Sequence, residues 1–569
     1  MNFNNFKIKL LEKKEILFLL GCVALVVVCV AFFTWGKMQM GDSSVELTYG
    51  TMVKAGRIPY ADFYMHIMPL TSYIASFLLM FDSPIHAANF LGVINVLAAS
   101  LVVLISVYIL RLSFYEKILS TVVFLGVYLG TLPSFNHHSF DLTLSASVTL
   151  FIIFLIKATA RRSIIIWAGM AALFSVSNFF VTQTYGLASM ALGFFVLLAD
   201  FILNKNKISV YKMYVLASIQ VLCLVLFLGG FSVFGKIPLQ KMYESTFATG
   251  YQQYTGTYGY GTIWRTSVAN ILSFYNKRVV PVQSTVQTNA VVSGVSSDLE
   301  KEFLLPEGLF YKIFLKKSSF LFSLFSLFGL MFIIQMALYA LVVFFKKIKY
   351  NEFVDPIFLL WVGTIGIFFV SSILVFQMNF SLFFMVFILW LYGIKQNHGT
   401  FLSKFNGLVN MTAGGLAVLL LISNITILHV DFKTRDYLMS KTKNENVWVP
   451  TSYFKSFATQ FRQVSSFLSA EPYADNLAAY PRASEVYYLL GRIPPVGFPL
   501  VSFYRPGGAY NATVEGAKNS DTVVIFEPKF YGSDLGEEHA FAMKQIQPAL
   551  DEYFVLSFNS LYFKIYKHL

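Results

Sequence analysis

Residues 41–69 read GDSSVELTYGTMVKAGRIPYADFYMHIMP, and the rest of the chain is best understood outward from them. This is the first long polar segment after the first apolar run, Ile16 to Phe33. It sets two carboxylates, Asp42 and Asp62, beside what that run implies is a membrane surface. Ionisable groups are costly to hold next to a bilayer, so they are functional candidates by default. Gly56 and Pro59 punctuate a turn within the stretch, and on position alone Asp62 reads equally well as a turn residue. Asp42 likewise reads as a helix N-cap.

Composition sets the class. Of 569 residues, 56% are hydrophobic and 13% charged, whereas a soluble chain carries roughly 25% charged residues. The chain is therefore a polytopic membrane protein, and its 60 Phe and 32 Tyr suit lipid-facing surfaces and interfacial belts. A helix needs about 20 apolar residues to cross a bilayer. About eleven runs qualify, near 16–35, 85–110, 117–132, 139–157, 163–180, 184–203, 213–234, 318–345, 353–376, 380–394 and 406–428. The basic N-terminus followed by an apolar core has the outline of a signal peptide. The residues that follow, TWGKMQM, offer no small-residue cleavage site, so it reads as an uncleaved first helix. Cys22, Cys29 and Cys223 all fall in apolar runs, which excludes a disulfide framework or a zinc motif.

The net charge of +13 does not call for nucleic acid, because the clustered Lys and Arg occupy short loops. Basic loops are 7–14, 111–117, 157–162, 205–212, 346–349 and 395–404. They fall on one side of the membrane, and residues 36–84, 133–138, 235–317 and everything after about 429 fall on the other. The positive-inside rule then places the N-terminus in the cytoplasm and the C-terminal segment outside. The domain reading is a transmembrane catalytic domain over 1–429, with outer loops 36–84 and 235–317, and an extracytoplasmic domain over 430–569. The latter alternates strand-like runs (LAAYP, DTVVIFEP, YFVLSFNSLYFKIY) with helical ones (ASEVYYLLG, EEHAFAMKQIQPALDEY), a mixed α/β pattern.

Several blocks occur in a telling order. Asp42 follows the first helix, then comes Gly56-x-x-Pro59-Tyr60-x-Asp62-Phe63, then Pro69 before the next apolar run. SFNHHSF lies at 134–140, TQTYGLA at 182–188 and YPRASEVYYLLGRIPP at 480–495. Together they resemble the GT-C superfamily of integral membrane glycosyltransferases, such as protein O-mannosyltransferases and lipid A aminoarabinose transferases. The resemblance implies an all-α polytopic fold with a small C-terminal α/β domain. It implies transfer of a sugar from a polyprenyl-phosphate carrier to a lipid, glycan or protein acceptor on the outer face, with inversion. Phosphate would leave, and Asp42 would be the general base on the acceptor hydroxyl. Many relatives carry Asp-Glu there, whereas this chain has Asp42-Ser43; Glu46, one helical turn on, can share the face of Asp42.

Asp62 joins Asp42 as a catalytic candidate. Tyr60 and His66 in the same loop, and Asn136, His137, His138 and Gln183 in the later blocks, are substrate-binding candidates. A donor phosphate needs cations, for which Arg57 and Arg265 stand out among Lys54, Lys236, Lys241, Lys277 and Arg278. His137, His138 and Asp141 could hold a divalent cation, cap a helix, or hydrogen-bond a sugar or phosphate, and relatives divide on metal dependence. The cluster Tyr251, Tyr254, Tyr258 and Tyr260 suits interfacial anchoring or a lid, with stacking on sugar as the alternative. Two other functions compete: a polymerase or ligase of lipid-linked glycans, and a transporter or flippase of lipid-linked sugars. A transporter would carry mid-membrane charges, which the apolar runs almost entirely lack. The expected setting is a bacterial cytoplasmic membrane.

Overall fold

A computed structural model of the chain describes residues 3–38, 42–65, 67–131, 135–248, 340–341, 343–350, 353–374, 383–396, 401–433, 435–440, 445–450, 457–469, 476–480, 484–495, 514–526, 536–560 and 563–569. Its helices run in order α1 Phe3–Thr34, α2 Asp42–Lys54, α3 Leu70–Leu78, α4 Pro84–Ile109, α5 Phe114–Thr131, α6 His137–Lys157, α7 Arg161–Val181, α8 Gln183–Asn204, α9 Lys207–Val233 and α10 Leu239–Tyr243. Further along the chain come α11 Pro356–Leu374, α12 Phe383–Gln396 and α13 Phe401–Lys433. The C-terminal part adds β1 Arg435–Ser440, β2 Glu445–Pro450, α14 Phe457–Ser469, β3 Leu477–Tyr480, α15 Ser484–Leu490, β4 Thr522–Phe526, α16 Gly536–Tyr553, β5 Phe554–Asn559 and β6 Phe563–His568.

Seven stretches among the described residues are helical, long and apolar enough to cross a membrane: Lys14–Thr34, Pro84–Ile109, His137–Lys157, Arg161–Val181, Gln183–Asn204, Lys207–Val233 and Asn410–Lys433. The apolar runs expected near 117–132, 353–376 and 380–394 are helical too, as α5, α11 and α12. Most of the run near 318–345 lies outside the described residues.

The chain divides into two compact units. One comprises Met1–Thr34, Phe90–Gly229 and Lys317–Leu428; the other comprises Trp35–Asn89, Gly230–Lys316 and His429–Leu569. The first is a helical bundle. Phe124, Leu142, Ala146, Ile153, Ala168, Val196, Trp361 and Trp390 are buried in its core, with the two indoles stacked at 5.6 Å. Without a hydrophobic drive between helices in lipid, small residues and buried hydrogen bonds hold such a bundle. Gly186 is one such site: a Cβ there would lie 2.0 Å from the backbone of Phe179, so the α7–α8 corner closes only on glycine. Asn178 Nδ2 donates to Ser145 Oγ at 2.9 Å and Ser189 Oγ at 3.1 Å, tying α7 to α6 and α8. On α9 the exposed residues Tyr214, Val221, Leu222, Val225 and Leu226 form the apolar surface that a bilayer would cover.

Within the second unit, β1 and β2 form an antiparallel pair. A four-stranded sheet has the order β3-β4-β6-β5, with β3 parallel to β4 and the other neighbours antiparallel. β3 and β4 are buried throughout, as expected for paired strands covered on both faces. Their side chains Ala478, Val523 and Ile525 join Ile546 and Leu550 of α16 in one small core.

Candidate functional site

The stretch 42–69 folds as helix α2, a structured loop, and the approach to α3. Asp42 is the first residue of α2. Residues 43–50 are buried on every side, including the polar Ser43, Ser44, Glu46 and Thr48. A helix apolar enough to be buried all round would need no hydroxyls, so these polar groups must find protein partners. Two do so on α15: the hydroxyls of Ser44 and Ser484 lie 2.7 Å apart, and Thr48 Oγ1 donates to Ser484 O at 2.9 Å. On another face, Gly50 lets α2 close onto α3; a Cβ would come within 2.6 Å of Ala75 Cβ. Tyr49 stacks on Phe63 at 5.6 Å. Glu46 is 1% exposed. Carboxylates are almost never that buried, which marks it as a candidate for chemistry as well as structure.

The loop after α2 is built around Asp62. Its Oδ2 accepts from Ile58 N–H at 2.7 Å, and its own N–H donates to Ile58 O at 2.9 Å. Tyr60 sits between them with φ 64, the left-handed region that costs a non-glycine residue about 1 kcal/mol. It is held there by Tyr60 N–H to Phe63 O at 3.0 Å and by its phenol donating to Ile67 O at 2.6 Å. Burial pushes that phenol's pKa well above its ordinary value. Arg57 is half-buried and donates to the Pro494 carbonyl. Burial pulls its guanidinium pKa down, and the charge of Asp62 opposes that shift. Lys54 donates to Leu79 O at 2.7 Å. Thus Arg57 and Lys54, both expected as phosphate partners, each commit one donor to a backbone carbonyl, while Tyr60 supports the loop from inside.

Asn136, His137 and His138 form the start of α6 in the other unit. Asn136 is its N-cap and accepts from Ser139 N–H at 2.8 Å in a capping box. The rings of His137 and His138 lie 3.7 Å apart by centroid, and Asp141 is buried one turn on. Asn95 of α4 donates to Ser139 O at 2.8 Å. Asn136, expected as a substrate-binding residue, has its side-chain oxygen engaged as the helix cap. Among the described residues, no three His, Cys, Asp or Glu side chains gather as metal ligands. Gln183 opens α8 and is half-buried. His66, Arg265 and the cluster Tyr251, Tyr254, Tyr258 and Tyr260 lie outside the described residues.

Glu46, Arg57, Tyr60 and Asp62 therefore belong to one unit, on α2 and the loop after it, whereas Asn136, His137, His138 and Gln183 belong to the other. Sequence reasoning passed over two polar centres. Asp200 of α8 is 2% exposed and accepts from Asn204 at 2.7 Å, from Asn206 at 2.8 Å and from Ser209, closing the α8–α9 corner. Its signal was a lone carboxylate inside an apolar run. Lys37 and Asp431 pair at 2.7 Å, 5% exposed on the Asp side. They are 394 positions apart, and no local pattern announces them.

No protein-family model matches this sequence, and no curated protein matches it. Solved structures do. The crystal structure of ArnT from Cupriavidus metallidurans bound to undecaprenyl phosphate aligns with TM-score 0.50 and 10% identity, over 97% of this chain and 98% of that one. The oligosaccharyltransferase of Archaeoglobus fulgidus in its apo form aligns with TM-score 0.50 and 12% identity, over 95% of this chain and 72% of that one. At such identities the likeness speaks for the fold. The chain shares the fold of these two solved structures, the fold that the resemblance of the ordered blocks around residues 42–69 implies.

Proposed function

We propose that this protein is a membrane glycosyltransferase that moves a sugar from a polyprenyl-phosphate carrier to an acceptor on the outer face of the membrane. The observation that carries this reading is a fold likeness running through 97% of the chain to a transferase whose structure was solved with undecaprenyl phosphate bound. Asp42, at the start of α2, is the general base: it takes the acceptor hydroxyl's proton as the oxygen attacks the sugar's anomeric carbon. The bond from that carbon to the carrier phosphate breaks, with inversion, and the phosphate leaves with both electrons. Glu46 shares α2 with Asp42 and is the second acidic group of the site. Arg57 neutralises the leaving phosphate with the donors that Pro494 does not occupy. Asp62 and Tyr60 act by shaping the loop. Asn136, His137, His138 and Gln183 bind sugar or phosphate.

The test uses purified protein, a polyprenyl-phosphate sugar and candidate acceptors. Asp42→Asn should lower turnover by about 10²–10⁴-fold, the usual loss on removing a general base, with the fold intact. Near-normal turnover of that variant would make Asp42 a helix cap and remove the proposed base. A nucleotide sugar alone should give no product. The likeness to an oligosaccharyltransferase favours including carriers of both single sugars and oligosaccharides, since it is compatible with either donor size.

A further inference from the structure

Asp42 lies between two anchors, and residues of the C-terminal segment supply both. The first anchor is upstream. Residues 36–38 run alongside β2 at Trp448: Trp448 N–H donates to Gly36 O at 2.9 Å, and Met38 N–H donates to Trp448 O at 2.8 Å. The indole Nε1–H of Trp448 donates to Trp35 O at 2.7 Å. Lys37 pairs with Asp431 at 2.7 Å, and its ammonium lies 5.8 Å from the Trp448 ring. The second anchor is downstream, where Ser484 receives Thr48 on its carbonyl and faces Ser44 through its hydroxyl. Trp448, Ser484, Ser44, Thr48 and Met38 are each at least nine-tenths buried.

We infer that Trp448 and Ser484 are positioning residues that hold the start of α2, so that the C-terminal segment acts as a part of the catalytic site rather than an appendage. Neither touches substrate in this reading. They act through the segment that carries Asp42, whose two ends are fixed to different elements of the same unit. A base held from one end only would swing, and small misplacements at a reacting centre cost much of the rate. The inference rests on the proposed transferase reading for its consequence in turnover. Its structural half stands apart from that reading.

The experiment therefore has two arms on purified full-length protein. The first is hydrogen exchange of the amides in 36–50, with those of β3 and β4 as internal reference. The double variant Trp448→Phe/Ser484→Ala keeps a ring at 448 and every backbone bond, and loses one indole and one hydroxyl hydrogen bond. With both bonds lost, exchange in 36–50 should quicken by about thirtyfold while the reference amides hold. The second arm is steady-state transfer: kcat should fall by about tenfold with the donor KM little changed, and Ser484→Thr, which retains a hydroxyl, should recover most of the rate. Unchanged exchange in 36–50 overturns the anchoring outright. Faster exchange with full kcat overturns the positioning role. A wild-type protein with no transfer activity sinks the functional reading instead, and the exchange arm still decides the anchoring. If the double variant fails to fold, the single variants Trp448→Phe and Ser484→Ala test each anchor separately in both arms, with Ser484→Thr as the conservative control and an effect of about fivefold expected from each; no change in either variant overturns that anchor.

Discussion

Replacing Asp62 separates a carboxylate that shapes a loop from one that does chemistry. In the fold Asp62 Oδ2 accepts the Ile58 N–H at 2.7 Å, closing the turn that holds Tyr60 at φ 64. A hydrogen bond to a charged acceptor is worth about 1.5–3 kcal/mol, and one to a neutral acceptor about 0.5–1.5 kcal/mol. Asp62→Asn keeps a carbonyl oxygen in nearly the same place, so it should forfeit only the difference, about 1–1.5 kcal/mol. Asp62→Ala forfeits the whole bond and leaves the Ile58 N–H without it, about 2–3 kcal/mol. With the bond gone, the strain at Tyr60 favours opening of the loop around it, so the loss should be local. At about 1.4 kcal/mol per tenfold, the rate should fall about 5–13-fold for Asn and about 30–150-fold for Ala. The assay is kcat/KM for transfer from a polyprenyl-phosphate sugar, with limited proteolysis over 55–65 to report loop opening. An Asn variant as damaged as the Ala variant, with the loop still closed, would refute the positioning role and assign Asp62's charge to the reaction itself.

Gly50→Ala gains about 1 kcal/mol of helix propensity but drives a methyl into Ala75 at 2.6 Å, an overpacking cost of about 1–3 kcal/mol. The net should be a lower unfolding temperature in detergent together with reduced turnover, whereas Gly169→Ala, which meets open space, should do neither. Burial raises the Tyr487 phenol above its ordinary value of 10.0 while the Ala479 N–H partly offsets the shift. Below that pH both states keep the proton; above it the unfolded chain loses its proton first, so stability drains as pH rises toward the folded value. Thermal unfolding from pH 9 to 11 should accordingly be less pH-sensitive in Tyr487→Phe, and equal slopes would rule this out. For membrane sidedness, a cysteine at exposed Asn519 should react with an impermeant reagent added from outside, and one at exposed Lys207 should not; the reverse would put Asp42 on the wrong face for a lipid-linked donor.

What the sequence alone determined follows from rules that act over short distances. A bilayer demands about 20 apolar residues per crossing, so α4, α6, α7 and α8 could be read from composition to within a few residues, whereas α9 starts at Lys207, ahead of the run expected from 213, because its first turns are polar. Period and length likewise announced β3, β4 and the helices α15 and α16 in the C-terminal segment. Gly56 and Pro59 marked the turn, and the order of the blocks from Asp42 to Pro495 pointed to the fold. The tertiary structure decided what each polar residue does. Glu46 and Asp42 share a helix by spacing, but the near-complete burial of Glu46 comes from α2 being enclosed by other elements. Tyr60 gave no sign of a left-handed backbone, because hydrogen bonds to Phe63 and Ile67 stabilise what its own preference opposes. Ser44 meets Ser484 across 440 positions, and Lys37 meets Asp431 across 394. Hydrophobic periodicity has a reach of one or two turns; a hydrogen bond between distant segments leaves no trace in either one, so only the folded chain could join the start of α2 to the C-terminal segment.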